Sequence, residues 1–325
     1  MANTRERYCV EDLRKERASC NFNQEELTNL IDGGKEFTDF RRKINASFLN
    51  DPAYDDEIPP DYLSHEDRYS NELRKACHTF LKLRNENYTM EEFQSYGPTM
   101  LLKDGNPLAL HMGMFYDALK GQCTEEQQQR WLGRVKRGEI IGTYAQTELG
   151  HGTFVRGLET TATYDLRTQE FVLHSPTITS TKWWPGCLGK TSSYAVVMAQ
   201  LYSKGKCYGP HPFFVQLRDE KTHRSMPGVT LGEIGPRAGL NTNDNGFLRF
   251  NNYRIPRTNM LMKHSQVLKD GTYVKPGHAK LAYGTMVVTR VSLIFHSYKQ
   301  LQRAVTIATR YSAVRRQSEM VPGYV

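Results

Sequence analysis

Metal-ligand spacing, paired cysteines, long apolar runs and internal repeats are all missing from these 325 residues, and each absence removes a class of protein. The six cysteines, Cys9, Cys20, Cys77, Cys123, Cys187 and Cys207, stand far apart with no Cys-x-x-Cys pair, and the 10 histidines are scattered. Zinc modules and disulfide-stapled folds need clustered ligands or paired cysteines, so reduced thiols and no metal site are expected. No apolar run approaches the roughly 20 residues that a membrane-spanning helix requires. Met1 to Glu16 is charged and reads as a solvated helix instead of a secretory signal. The formal charge is +8, but lysines and arginines are dispersed among acids and no nucleic-acid motif occurs. Attraction of a polyanionic ligand is the simpler use of that surplus.

What is present fits a folded chain of mixed class: 38% hydrophobic and 24% charged residues are ordinary values, and the length allows two or three domains. Leu13, Leu27, Leu30 and Ile31, then Leu73, Phe80, Leu81 and Leu83, recur at helical intervals, which predicts helices within 8–50 and 66–95. A proline- and acid-rich connector at 51–62 and a loop at 96–107 separate these from helices at 108–120 and 124–137. The second of these opens on Thr124 with Gln127 in capping-box spacing. From about 140 the texture becomes β: Ile140–Gln146, Glu159–Asp165, Glu170–Leu173, Tyr194–Leu201, Pro212–Gln216 and Gly246–Phe250, with turn residues between them. A long helical pattern returns from Lys280 to Arg316, its seam marked by Val287, Leu293, Ile294, Leu301 and Val305.

Chemistry concentrates at 141–189. There a polar, turn-rich loop containing Thr147, Gly150, Gly152 and Thr153 is paired with a Lys-Trp-Trp-Pro-Gly strand end. Threonine hydroxyls and permissive glycine backbone suit close approach to a cofactor, and Trp183 and Trp184 offer flat apolar area for a ring system such as a flavin. From the residues alone the loop can also be a plain turn, and the tryptophan pair can be core. His111, inside an apolar run, reads as a packing histidine, and Glu148 as an acid accepting local backbone hydrogen bonds.

The runs Tyr144-Ala-Gln-Thr-Glu-Leu-Gly-His-Gly-Thr153 and Thr181-Lys-Trp-Trp-Pro-Gly186 closely resemble the peroxisomal acyl-CoA oxidases, of the acyl-CoA dehydrogenase and oxidase superfamily. Further blocks in the same order extend the resemblance over nearly the whole chain: Asp12-Leu-Arg-Lys-Glu-Arg17, Leu30-Ile-Asp-Gly-Gly34, Leu110-His-Met-Gly-Met-Phe115, Asp244-Asn-Gly-Phe-Leu-Arg-Phe250, Arg254-Ile-Pro-Arg257 and Tyr311-Ser-Ala-Val-Arg-Arg-Gln317. Several ordered blocks are far more specific than one motif.

The resemblance implies an α+β fold with an N-terminal α-helical domain at 1–138, a β-barrel-like domain with the flavin site at 139–276, and at 277–325 the first long helix of a truncated C-terminal helical bundle. It implies FAD as cofactor and conversion of fatty acyl-CoA and O2 to trans-2-enoyl-CoA and H2O2 in peroxisomal β-oxidation. Tyr144, Ala145, Gln146 and Thr147 match the strand end along the flavin ring, and Gly152 and Thr153 the turn that faces its phosphates. Trp184 and Gly186 match positions beside the ring. Gly186 lacks the side chain that related dehydrogenases usually carry there, which leaves room for dioxygen. Lys280, Leu281, Ala282, Tyr283 and Arg290 match the acyl-CoA channel, where a guanidinium suits a phosphate or adenine contact. Arg315 matches a residue that reaches the FAD of a neighbouring subunit, so a homodimer, or a heterodimer with another oxidase subunit, is expected. Family members are about twice as long, and the glutamate that removes the substrate α-proton lies in their second half. No residue here matches it, so no catalytic residue is assigned and the chain alone is expected to be inactive. The alternative is a non-catalytic fragment or isoform that binds a full-length oxidase subunit. A peroxisomal location is expected from the family, since the chain ends Tyr324-Val325 and not in a Ser-Lys-Leu signal.

Overall fold

A computed structural model describes residues 3–98, 102, 104–275, 284–315, 318 and 321. In chain order its helices are α1 (Asn3–Ala18), α2 (Gln24–Asp32), α3 (Lys35–Leu49), α4 (His65–Asn85), α5 (Met90–Tyr96), α6 (Tyr116–Gln122), α7 (Glu125–Lys136) and α8 (Gly284–Val314). The strands are β1 (Gly142–Ala145), β2 (Thr161–Asp165), β3 (Glu170–His174), β4 (Lys182–Trp183), β5 (Tyr194–Ser203), β6 (Lys206–Gln216), β7 (Val229–Glu233), β8 (Gly246–Phe250), β9 (Tyr253–Pro256), β10 (Gln266–Val267) and β11 (Tyr273–Val274). Mixed helix and curled half-barrel sheet is the fold class expected from the sequence.

The chain divides into two compact units, Met1–Asn50 with Glu92–Thr99 and Arg290–Val325, and Asp51–Glu91 with Met100–Thr289. In the first, Asn23 caps α2 by accepting from the N–H groups of Glu25 and Glu26. Gly33, at φ +92°, ends the helix in the left-handed region that a side chain would strain. This is the physical content of the Asp-Gly-Gly block, and it breaks the helical stretch expected across 8–50. On α8, Val291, Leu293, Ile294, Leu301, Val305, Ile307 and Tyr311 are all exposed, so the apolar seam expected there lies on the surface. Among the described residues no helix is long and apolar enough to cross a membrane.

The second unit carries the sheet. The Thr124–Gln127 capping box forms as expected, with both reciprocal bonds at the start of α7. Before it, the expected helix at 108–120 is interrupted by a π-helical turn, His111–Phe115, that leads into α6. Side chains alternate across β1 and β5. Tyr144, Tyr194 and Val196 join Phe115, Leu119, Trp131, Val135 and Phe214 in the helix-side core. Ala145, Ala195, Val197, Ala199 and Leu201 join Phe171, Leu173, Phe213, Leu248 and Phe250 in the sheet-side core.

One edge of β5 is shared. Its first half pairs in parallel with β1, from Gly142↔Tyr194 to Ala145↔Val197, and its second half pairs in parallel with β2, from Thr161↔Gln200 to Thr163↔Tyr202. The chain therefore leaves the sheet after Ala145 and re-enters it at Thr161, and the polar loop is the excursion between. Between the two pairings, Met198 and Ala199 have no partner on that edge in either register. β6 lines the opposite edge of β5. A separate three-stranded sheet, β4-β8-β7, brings Lys182 and Trp183 alongside the excursion.

Candidate functional site

The loop from Gln146 to Thr153 is held by main-chain bonds to β4 and the segment leading into it. Trp183 N–H donates to Thr147 C=O at 3.0 Å, Leu149 N–H to Thr181 C=O at 2.8 Å, and Gly150 N–H to Thr179 C=O at 3.0 Å. Glu148 and His151 close the turn on each other. The sequence motif is thus a turn built against β4, with Thr147 beside Trp183 and the Gly152–Thr153 tip exposed.

Beneath the loop lies an ion pair with no solvent contact. Lys182 Nζ sits 3.0 Å from Glu148 Oε1, and both side chains are 0% exposed. Such a pair is tolerated only when its remaining hydrogen-bonding capacity is used, and here it is. Lys182 also donates to Gln146 C=O at 3.0 Å and Met198 C=O at 2.7 Å. Glu148 accepts from Glu159 N–H, Thr160 N–H and the Thr160 hydroxyl. Burial pushes the Lys182 amine down to about 8, against the opposing pull of Glu148. Glu148 is therefore structural, as its place in a turn suggested. Among the described residues, Glu148, His151 and Glu159 come within 4.8 Å of one another, and the cation already facing Glu148 is Lys182.

The two tryptophans divide the uses left open by the sequence. Trp183 is half-buried and stacks on Phe247, with ring centroids 6.2 Å apart. Trp184 has φ +86° and is 52% exposed, so its indole is turned out of the core. Gly186 is buried, and its carbonyl accepts the Thr143 hydroxyl at 2.6 Å. A Cβ there would stand 3.4 Å from Asn243 O and 3.7 Å from Leu110 Cδ1, which is ordinary contact with no backbone clash.

The remaining expected site residues fall into four groups. Gln146 and Thr147, half-buried, and Gly152, Thr153 and Trp184, exposed, gather around one loop of the second unit. Tyr144 and Ala145 point into the two cores, so only their main chain can serve a ligand. Arg290 and Arg315 are exposed residues of the first unit, Arg315 with its guanidinium 6.0 Å from the Tyr311 ring centroid. Lys280, Leu281, Ala282 and Tyr283 lie outside the described residues.

His111 is the packing histidine the sequence suggested. It is buried, its Nδ1 accepts Gly142 N–H at 3.2 Å, and desolvation pushes its pKa down to about 4, which keeps it neutral. Lys182 carries a structural role that its place in the Lys-Trp-Trp-Pro-Gly motif does not announce. The available signal was a lysine beside two tryptophans in a strand.

The residue chemistry fits a flavin: the Trp184 indole is exposed, Gln146 and Thr147 are half-buried polar residues of the neighbouring loop, and a Cβ built on Gly152 would meet nothing within 4 Å beyond its chain neighbours, so the loop tip is open.

Residues 23–141 match the acyl-coenzyme A oxidase N-terminal family model, and residues 283–323 match the acyl-CoA oxidase C-alpha1 domain. The chain is 52% identical over 313 residues to peroxisomal acyl-coenzyme A oxidase 1 of Bos taurus, covering 96% of this chain and 47% of that protein. It is 50% identical over 319 residues to acyl-coenzyme A oxidase 1 of Drosophila melanogaster, covering 96% and 48%. Among solved structures, acyl-CoA oxidase-2 of Caenorhabditis elegans, bound with FAD, ascaroside-CoA and ATP, superposes with a TM-score of 0.90 at 46% identity, over 97% of this chain and 48% of that one. Arabidopsis thaliana acyl-CoA oxidase 1 gives 0.89 at 43% identity, over 96% and 48%. The chain spans about half the length of the curated relatives it matches.

Proposed function

Because the chain belongs to the acyl-CoA oxidase family, we propose that its second unit supplies the flavin-facing part of an FAD-dependent oxidase acting on fatty acyl-CoA and O2 in peroxisomal β-oxidation. The observation that carries this reading is the open loop at 146–153 beside the outward-turned Trp184 indole. Bound FAD would supply the hydride acceptor and a ring that reacts with dioxygen. Gln146, Thr147 and the main chain of Tyr144 and Ala145 would hold the polar edge of the ring, Gly152 and Thr153 its phosphates, and Trp184 its face. Gly186 would leave dioxygen-sized space. On the same reading Arg315 serves the cofactor of a neighbouring copy in a dimer, and Lys280–Tyr283 with Arg290 belong to the acyl-CoA channel. Residues 1–138, 139–276 and 277–325 then correspond to helical, β and second helical domains.

Proton removal α to the thioester needs a positioned base, and these 325 residues contain no match to the family's glutamate. The chain by itself should therefore bind flavin without turning over acyl-CoA. Incubation with FAD, gel filtration and the visible flavin band test this directly. A stoichiometric band with no peroxide from acyl-CoA is the expected result, and no retained flavin would refute the reading for the chain alone.

The exposed apolar side chains of α8 favour a second reading, in which the chain binds a full-length oxidase subunit through that helix. Co-elution with such a subunit supports it. A monodisperse monomer that ignores the subunit counts against it.

A further inference from the structure

We propose that Lys182, through Glu148, is a positioning residue that sets the flavin-facing loop against the sheet, an inference that rests on the flavin reading above. The need for it comes from topology. β1 and β2 pair with the two halves of one edge of β5. The excursion between them leaves the carbonyl of Met198 facing a gap where no strand continues. Lys182 Nζ fills that gap, donating to Met198 C=O at 2.7 Å in place of the missing ladder N–H.

The same ammonium donates to Gln146 C=O, the point where the chain departs, and to the Glu148 carboxylate. Glu148 in turn accepts from the N–H groups of Glu159 and Thr160 and from the Thr160 hydroxyl, the point where the chain returns. Thr160 Oγ1 also lies 3.0 Å from Ser180 C=O, on the segment leading into β4. One buried pair therefore ties together departure, return, sheet edge and the short strand that carries Trp183 and leads into Trp184. Loss of either partner would leave an uncompensated buried charge and free the loop ends.

The test compares the wild-type chain with Lys182→Met, Glu148→Gln and the double variant, which keeps a neutral acceptor for Thr160 while removing both charges. Tryptophan fluorescence establishes that each is folded. Amide hydrogen exchange is measured without cofactor, and FAD affinity by titration. Exchange of 147–153 is expected to rise at least tenfold in the double variant, with amides of β5 and β6 unchanged, and FAD binding is expected to weaken at least tenfold.

The wild type carries a further signature in pH. The groups facing Lys182 and its partner are Glu148, His151 and Glu159. Loss of the ammonium proton as pH rises through about 8 should weaken FAD binding toward the affinity of Lys182→Met, a pH dependence that this variant lacks. A folded double variant with wild-type FAD affinity, wild-type exchange at 147–153 and an unchanged pH slope overturns the proposal. Failure of the wild type to bind FAD refutes the flavin reading instead, and the exchange arm, which needs no cofactor, then decides positioning by itself.

Discussion

Substituting Gly142 by alanine tests how tightly the start of the functional strand is held. A Cβ on Gly142 would lie 2.2, 2.3 and 2.4 Å from Cζ, Cε2 and Cε1 of Phe115, far inside any van der Waals contact. The ring has little room to retreat: Phe115 is fully buried, with the Phe214 ring centroid 6.1 Å away and that of His111 5.9 Å away. Either the ring leaves its place or β1 lifts from the π-helical turn, which also strains the bond from Gly142 N–H to His111 Nδ1. Overpacking of a filled core costs about 1–3 kcal/mol. All three contacts fall on one enclosed ring, so the expected cost is about 2 kcal/mol, roughly a thirtyfold loss in the folding equilibrium. Urea unfolding followed by tryptophan fluorescence measures it, because Trp131, Trp183 and Trp184 all belong to the second unit and Trp131 stacks on Phe214 at 4.2 Å. Phe115→Leu should relieve the clash, so the double variant should be more stable than the sum of the single effects allows, by about 0.5–3 kcal/mol. A cost below about 0.5 kcal/mol for Gly142→Ala, or strict additivity with Phe115→Leu, would refute the reasoning.

Three further outcomes separate stability from function. Trp184→Ala removes an exposed indole, so stability should change by no more than about 0.5 kcal/mol while FAD affinity falls; equal affinity with unchanged stability would remove Trp184 from the site. A Cβ at Gly186 meets only ordinary contacts, and Gly186→Thr in a flavin-loaded full-length relative should slow reoxidation by O2; an unchanged oxidation rate would sink the dioxygen-space argument. His111 has its folded pKa lowered to about 4, so the unfolded chain binds the extra proton between about 6.5 and 4 and stability falls as pH drops through that window. The loss approaches about 3 kcal/mol and levels off below pH 4, and a His111→Gln variant that keeps the same slope would assign it to other groups.

The parts of the fold that were legible in sequence are those fixed by local chemistry. Thr124 and Gln127 announce a capping box and form one. The nearly continuous apolar run Tyr194–Leu201 announces a strand and forms β5, with side chains buried on both faces. Shorter or less regular elements carried no comparable signal. β4 has two residues, β7 reads Val-Thr-Leu-Gly-Glu with a glycine inside, and the π-helical turn at His111–Phe115 packs on Gly142, 31 residues after His111.

Lys182 shows where local reading stops. On pattern alone, a lysine followed by tryptophan in an alternating strand sends the lysine to solvent and the indole inward. The protein does the reverse: Lys182 is fully enclosed, while Trp183 is only half-buried and Trp184 is turned outward. What reverses the pattern is the unpaired carbonyl of Met198, created by two strands sharing one edge of β5, together with a carboxylate delivered by a turn 34 residues earlier. Neither exists until the sheet has assembled. The burial of Lys182 is therefore a consequence of topology. A charge held in place by topology is also a sensitive one, because the same gap that recruits it would be left without a donor, and Glu148 without a counter-charge, if it were removed.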